Sequence, residues 1–285
     1  MRGNNLLMWA LGLIGTLITA GAVHASQQPI NMPVGVTDIS EQVFSMHMIA
    51  LWLVTIIGVL VFGVMFYSMF AHRKSRGVTP ATFHESTTVE AVWTIIPFII
   101  LVVLAIPATK ALIAMEDTSN YDLTVKITGY QWLWHYEYID EGVEFYSVLN
   151  TPRTEINNLA AKNENYLLEV DKQLVLPVGK KVRFLITSND VIHAWWVPDF
   201  AVKKDAIPGF INEAWTNINE PGIYRGQCAE LCGRDHGFMP IVVRAVEAEE
   251  FDQWLAENTT NSAEEAEMAN KKAEQAEVKV SAVTL

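Results

Sequence analysis

Two long stretches without a formal charge constrain this chain more than anything else in it. Gln42 to Ala71 carries no Asp, Glu, Lys or Arg and is dominated by Leu, Ile, Val, Phe and Met. As a helix this run would extend about 45 Å, enough to cross a bilayer with tilt or an emergent turn. Ala91–Thr109 is a second such run, closed by Lys110. At about 29 Å as a helix it matches the hydrocarbon thickness. Pro97 and Pro107 are tolerable there because packed neighbours can satisfy the freed carbonyls. The expectation is a two-helix transmembrane hairpin, with every other folded part of the chain outside the bilayer.

Charge sets the orientation. Between the spans stands His72-Arg73-Lys74-Ser75-Arg76, a basic cluster that should stay cytoplasmic. Both flanks then lie on the exported side. The first 25 residues agree independently: Arg2, the apolar Leu6–Ala22 and the A-x-A-like Val23-His24-Ala25 read as a signal peptide cleaved near Ala25. The expected order is signal peptide 1–25, exported segment 26–40, first span 41–71, cytoplasmic loop 72–90, second span 91–113, exported domain 114–250 and tail 251–285. Residues 114–250 hold twelve Lys/Arg against 21 Asp/Glu. Such an acidic domain argues against nucleic acid and for a basic partner or a cation.

Past residue 114 the pattern becomes short strands. Leu123, Val125 and Ile127 alternate onto one face; after Gly129 the parity switches to Tyr130, Trp132, Trp134, Tyr136 and Tyr138, which suits a bulge or bend at the glycine. Tyr166–Val170, Lys181–Ser188, Trp215–Asn217, Gly222–Gln227 and Pro240–Val246 are further candidates, separated by turns such as Leu176-Pro-Val-Gly179. Six or seven short strands imply an all-β Greek-key sandwich or barrel. From Ala248 onward Glu, Ala and Lys dominate; Glu249–Ala256 fits a short closing helix and Asn258–Leu285 a mobile acidic tail.

The chemistry is concentrated in Gln227-Cys-Ala-Glu-Leu-Cys-Gly-Arg-Asp-His-Gly-Phe-Met239. Its C-x3-C-x3-H-x2-M spacing lets one loop turn Cys228, Cys232, His236 and Met239 toward one point, and His193 can join from another loop. Thiolate, imidazole and thioether are soft donors that favour copper. One thiolate, two histidines and an axial Met would make a mononuclear blue site. The second thiolate also permits two bridging sulfurs, one histidine per metal, with Met239 and the Glu230 carbonyl as weak axial ligands. A Cys228–Cys232 disulfide and a zinc site are the bland alternatives, and neither has a use for the methionine.

These residues resemble the copper A loop in subunit II of the haem–copper cytochrome c oxidases. The similarity runs from about residue 40 to 245 and takes in Glu90-Ala-Val-Trp-Thr-Ile-Ile-Pro97, Tyr130–Tyr138, Asp205-Ala-Ile-Pro-Gly209 and the Cys228–Met239 loop. The leader and acidic tail look like those of bacterial members. The resemblance implies a cupredoxin-like Greek-key barrel and dinuclear copper A held by His193, Cys228, Cys232, His236, Met239 and the Glu230 carbonyl. It implies magnesium (or manganese) on the Glu230 carboxylate, shared with a haem-bearing catalytic subunit I; haem itself would reside only in that partner. Trp132 would admit electrons from cytochrome c, with Glu137, Asp171 and Asp190 among the docking acids. Glu90 would stand at the mouth of a proton channel. A subunit III, the lipid bilayer and no nucleic acid complete the expected surroundings, in a bacterial inner membrane with the C-terminal domain periplasmic. Electrons would reach the oxygen-reducing, proton-pumping partner through this chain. Three competitors fit less well. A nitrous-oxide reductase domain would bring a His-rich domain, a quinol-oxidase subunit lacks the copper ligands, and a copper chaperone favours exposed, exchangeable ones.

Overall fold

The computed structural model describes residues 31–79, 82 and 84–259; the leader at 1–25 and the last part of the tail, 260–285, lie outside these residues. Helix α1 (Asp38–Ala71) starts three residues before the expected span at 41, and its cap explains why. Thr37 Oγ1 accepts from the Ser40 N–H at 3.0 Å, and Ser40 Oγ accepts from the Thr37 N–H at 2.9 Å. This reciprocal capping box satisfies two otherwise orphaned donors. Asp38 and Glu41 occupy the first turn, where the helix dipole favours negative charge. Thr37 also donates to the Phe200 carbonyl at 3.3 Å, tying the helix start to the β-domain.

Helix α2 (Thr87–Glu116) likewise outruns its uncharged stretch at both ends. Its final turn docks on the β-domain rather than ending at Lys110. The Trp215 indole donates to the Ala114 carbonyl at 3.0 Å, Lys204 pairs with Glu116 at 3.0 Å, and Lys181 Nζ donates to the Asp117 and Ser119 carbonyls at 2.8 and 2.6 Å. The last carbonyls of a helix need such partners. Along most of their length both helices expose apolar side chains all round, among them Trp52, Phe62, Trp93 and Phe98. A helix apolar on every side belongs in lipid or among other membrane helices. Among the described residues these two are long and apolar enough to cross a membrane.

The β-domain is a sandwich of two five-stranded sheets. One orders β3 (Val143–Ser147), β2 (Leu133–Tyr138), β1 (Leu123–Tyr130), β5 (Lys181–Ser188) and β8 (Asn212–Asn217). The other orders β4 (Leu174–Pro177), β10 (Pro240–Val246), β9 (Gly222–Cys228), β6 (His193–Val197) and β7 (Val202–Ala206). Pairing is antiparallel except for β1 with β5 and β10 with β4. The interior alternates as period-2 strands require: Val125, Ile127, Trp134, Phe184 and Ile186 face Leu174, Trp195, Val197, Ile241 and Val243, all fully buried. Each contributes about 1.5–3 kcal/mol relative to exposure. This is the cupredoxin-like architecture that the sequence resemblance implies.

Several strand expectations change. No bulge follows Gly129; β1 runs on to Tyr130, pairs it with Leu133, and turns through Gln131-Trp132, which are joined by a cis peptide. The aromatic stretch is therefore split. Trp134, Tyr136 and Tyr138 are core residues of β2, while Trp132 is a loop tip. Tyr166–Val170 is turn with one isolated bridge, Leu149 to Val170, and the presumed turn at Leu176 is strand β4. Residues 248–259, partly assigned to the tail, form a helix whose Phe251 and Trp254 stack near Tyr138 at 6.3 and 5.2 Å.

Candidate metal centre

Strand register assembles the centre. Trp195 in β6 pairs with Cys228 in β9, and the Ala229 N–H donates to the Ala194 carbonyl at 3.0 Å. His193, two residues before Trp195, is thereby set beside the last residue of β9. The chain then loops from Cys228 and is closed by the Gln227–Pro240 pair of β9 and β10. Within this loop His236 opens a single turn of 3₁₀ helix, and Met239 follows it into the interior.

The sequence-predicted ligands converge. Cys228 Sγ lies 3.9 Å from His193 Nδ1, 3.9 Å from Cys232 Sγ and 3.3 Å from the Glu230 carbonyl. Cys232 Sγ lies 3.5 Å from both His236 Nδ1 and Met239 Sδ. Each sulfur thus has its own imidazole nitrogen and one weaker donor. The two cysteines are not bonded to each other; a disulfide requires about 2.05 Å. His193, Cys228, Cys232 and Met239 are all buried, and His236 is half-buried. The ligand atoms of His193, Cys228 and Cys232 lie within 4.8 Å of one another, close enough to hold a metal ion. A buried S₂N₂ cluster with a thioether and a carbonyl in reach fits soft metals, copper foremost.

Metal-free, the two thiols are driven apart. Burial raises the Cys228 thiol, but His193, the Ala194 and Glu230 backbone and His236 outweigh it and bring it down to about 7. Burial and the neighbouring Cys228 sulfur push Cys232 upward. Burial disfavours protonated His193, yet Cys228 and Asp190 raise its pKa overall. His193 and Cys228 thus each favour the other's charged form.

Around the ligands lies a layer of hydrogen bonds that pattern reading missed, with Asp190 expected only as a docking acid. Asp190 Oδ1 accepts from His193 Nε2 at 2.9 Å and from the Val191 N–H at 2.6 Å, while Oδ2 accepts from the Gln131 N–H at 2.7 Å. This fixes the His193 ring with Nδ1 toward the sulfurs. The Gln131 side-chain amide donates to the Cys232 carbonyl at 2.8 Å, and the Trp134 indole donates to the Met239 carbonyl at 3.2 Å. Gly129 is required by closeness: a Cβ there would sit 2.8 Å from His193 Cδ2. The Asp three residues before His193 was the one legible signal for this layer.

The remaining candidates are dispersed. Trp132 sits beside the metal loop, with the Arg234 guanidinium 5.7 Å from its ring centroid. The Glu230 side chain is exposed although its carbonyl faces the sulfurs. Glu137 pairs with Lys126 at 2.8 Å, and Asp171 accepts from the Val148 and Lys172 N–H groups at 2.8 Å each. Glu90, far away in the first turn of α2, accepts weakly from the Ser86 N–H at 3.4 Å.

Two membrane spans carrying a cupredoxin-like sandwich with a buried thiolate–imidazole–thioether knot define a membrane-anchored soft-metal protein. Residues 123–246 match the family model of the cytochrome c oxidase subunit II periplasmic domain, and residues 25–111 match that of its transmembrane domain. A probable cytochrome c oxidase subunit 2 of Rickettsia bellii is 39% identical over 249 residues, covering 86% of this chain and 90% of that protein. Its counterpart in Rickettsia conorii is 43% identical over 221 residues, covering 77% and 69%. The crystal structure of the periplasmic domain of subunit II of cytochrome oxidase from Bradyrhizobium japonicum is 43% identical, covers 50% of this chain and 98% of its own, and gives a TM-score of 0.45. The chain belongs to the cytochrome c oxidase subunit II family, as a two-pass membrane protein.

Proposed function

We propose that this subunit is where electrons enter a respiratory cytochrome c oxidase. It accepts them from cytochrome c at a dinuclear copper A centre and passes them to haem in catalytic subunit I, which reduces oxygen to water with proton pumping. The observation that carries the reading is the even division of donors between two sulfurs: His193 and the Glu230 carbonyl beside Cys228, His236 and Met239 beside Cys232. Cys228 with His193 and the Glu230 carbonyl, and Cys232 with His236 and Met239, would hold two soft ions better than one. When bound, a copper pair supplies a one-electron couple whose charge is shared over two metals.

The protein's own contribution is a rigid, dry cage. Its ligands are anchored by strand pairing and by outer hydrogen bonds, so their positions change little with redox state. Trp132, at the hairpin tip beside the metal loop, is the entry point. Glu137, Asp171 and Asp190 contribute to an acidic face that steers a Lys-rich donor, with Asp190 also holding His193. The exposed Glu230 carboxylate is suited to a magnesium or manganese ion at the contact with subunit I. Glu90 stands at the mouth of a proton channel, where an ionisable group near membrane depth has a use. Export of the β-domain to the periplasm, the segment order given above and assembly with subunits I and III complete the proposal.

The test is copper loading of the full-length chain in detergent. The expected product holds two coppers per chain and shows an electron-spin hyperfine pattern from one electron shared by two nuclei. A single-copper blue spectrum, or tight zinc without redox activity, refutes the reading.

A further inference from the structure

Gln131 hydrogen-bonds to both ligand-bearing loops from a third segment. Its backbone N–H donates to Asp190 Oδ2 at 2.7 Å, and the other oxygen of that carboxylate holds His193 Nε2 at 2.9 Å. Its side-chain Nε2 donates to the Cys232 carbonyl at 2.8 Å. A continuous hydrogen-bonded string therefore runs from His193 through Asp190 and Gln131 to Cys232, joining a ligand of one sulfur to the other sulfur's own residue.

The next residue is Trp132. Its indole Nε1–H is buried and has no hydrogen-bond partner among the described residues. The ring's place is set instead by what its loop is tied to and by Gly233 beneath it. A Cβ on Gly233 would fall 3.0 Å from Gln131 Nε2 and 3.1 Å from Trp132 Cζ2, and its φ of +124° is itself a glycine conformation. The bare backbone at Gly233 lets the Gln131 amide and the indole lie together on the metal loop. Beyond that packing, the Gln131–Cys232 hydrogen bond ties the turn that carries Trp132 to that loop, while Trp134, further along the same hairpin, holds the Met239 carbonyl.

We propose that Gln131 is a positioning residue that fixes Trp132 against the metal loop while holding the two ligand loops in register. This rests on the electron-entry reading above. Gln131 touches neither donor protein nor metal in this role; it sets the spacing between them.

Side-chain replacement isolates the Cys232 bond, because the backbone bond to Asp190 survives. In the assembled oxidase, Gln131→Leu is expected to lower kcat for cytochrome c oxidation about tenfold, the usual scale for loss of an outer-shell partner, with KM unchanged. Copper release to a chelator should accelerate by a similar factor, and the copper hyperfine pattern should shift. Gln131→Glu, which sets a carboxylate oxygen against the Cys232 carbonyl, should be more severe on each readout. Gln131→Asn, whose shorter amide falls short of the Cys232 carbonyl, is the milder second variant should the leucine form fail to assemble, with smaller shifts of the same sign expected. A rise in KM alone, with hyperfine pattern and copper release as in the wild type, would make Gln131 a docking residue and overturn the proposal. If the wild type itself shows no copper signal, the parent reading fails instead.

Discussion

Asp190→Asn separates two roles for one carboxylate. The aspartate accepts four contacts: His193 Nε2 at 2.9 Å, the Val191 N–H at 2.6 Å and Ser188 Oγ at 3.4 Å on Oδ1, and the Gln131 N–H at 2.7 Å on Oδ2. An asparagine has one carbonyl and one NH₂ at the same positions. Whichever way the amide is turned, the NH₂ meets an N–H: either those of His193 and Val191, or that of Gln131. At least one hydrogen bond to a charged acceptor is lost, at about 1.5–3 kcal/mol, and a donor is set against a donor. For a β-domain of this size, a loss of about 2 kcal/mol lowers the melting temperature by roughly 8 °C. Copper affinity should fall at least about tenfold, since His193 loses the charged partner that fixes its tautomer.

The pH dependence has a definite sign. Burial alone would raise the Asp190 carboxyl, but hydrogen bonds from His193, Val191 and Gln131 lower it below its ordinary 3.8. The ionised form is thus favoured by folding. Its contribution is present above that ordinary value and is lost as pH falls through the lower folded-state value. The asparagine variant should therefore converge with the wild type in strong acid and differ most at neutral pH. Near-ultraviolet circular dichroism of the copper-free full-length chain follows the transition through Trp134 and Trp195, both fully buried. An unchanged melting temperature and unchanged copper release, with only a raised and salt-insensitive KM for cytochrome c, would show that Asp190 acts purely as a docking charge.

Gly129→Ala should displace the His193 ring, costing about 1–3 kcal/mol by overpacking and lowering copper occupancy, measured by calorimetry and metal analysis. In the reduced, metal-free chain, thiolate absorbance should rise by one equivalent near pH 7 and by the second only above the ordinary thiol range. Because the Cys228 thiol is lowered from 9.0, its stabilising share is fully present above that pH and disappears as pH falls through about 7. Trp132→Phe should slow electron entry from cytochrome c while leaving KM and the copper spectrum nearly intact. Fast entry in that variant, measured by stopped flow, would remove Trp132 from the route.

How much of this was legible beforehand depended on which residues announce themselves by type. The membrane hairpin was readable because long uncharged runs have few other uses, and the ligand loop because Cys, His and Met at that spacing share one chemistry. Helix ends were less legible. Asp38 at one terminus and Glu116 at the other look like exits from the membrane, yet a capping box and docking contacts with Trp215 and Lys204 extend both helices. Strand parity misled at Gly129 because a two-residue hairpin and a bulge both reverse alternation; only the Tyr130–Leu133 pairing distinguishes them. Short β3, β6 and β7 lacked enough residues for a period to show. The outer layer around the metal was nearly silent, since Gln131 and Asp190 gain their meaning from neighbours 101 and three positions away.

That silence has a physical reason. The ligands lie at the end of the sandwich where strands stop, and loops there would ordinarily be the least fixed part of a β-domain. Three devices offset this. The Trp195–Cys228 register sets His193 beside Cys228, the Gln227–Pro240 pair closes the loop, and the hairpin tip at Gln131-Trp132 closes over it from the opposite sheet. Only the ligands need particular donor atoms; the bracing needs a donor or acceptor at the right distance, which many residue types could supply. A reader of sequence therefore finds the metal loop at once and its scaffold late. Both sulfurs hold their partners within 3.9 Å, and both ligand loops are tied to the same hairpin. On this argument, substitutions at Asp190, Gln131 and Gly129 should loosen the centre without touching a single ligand.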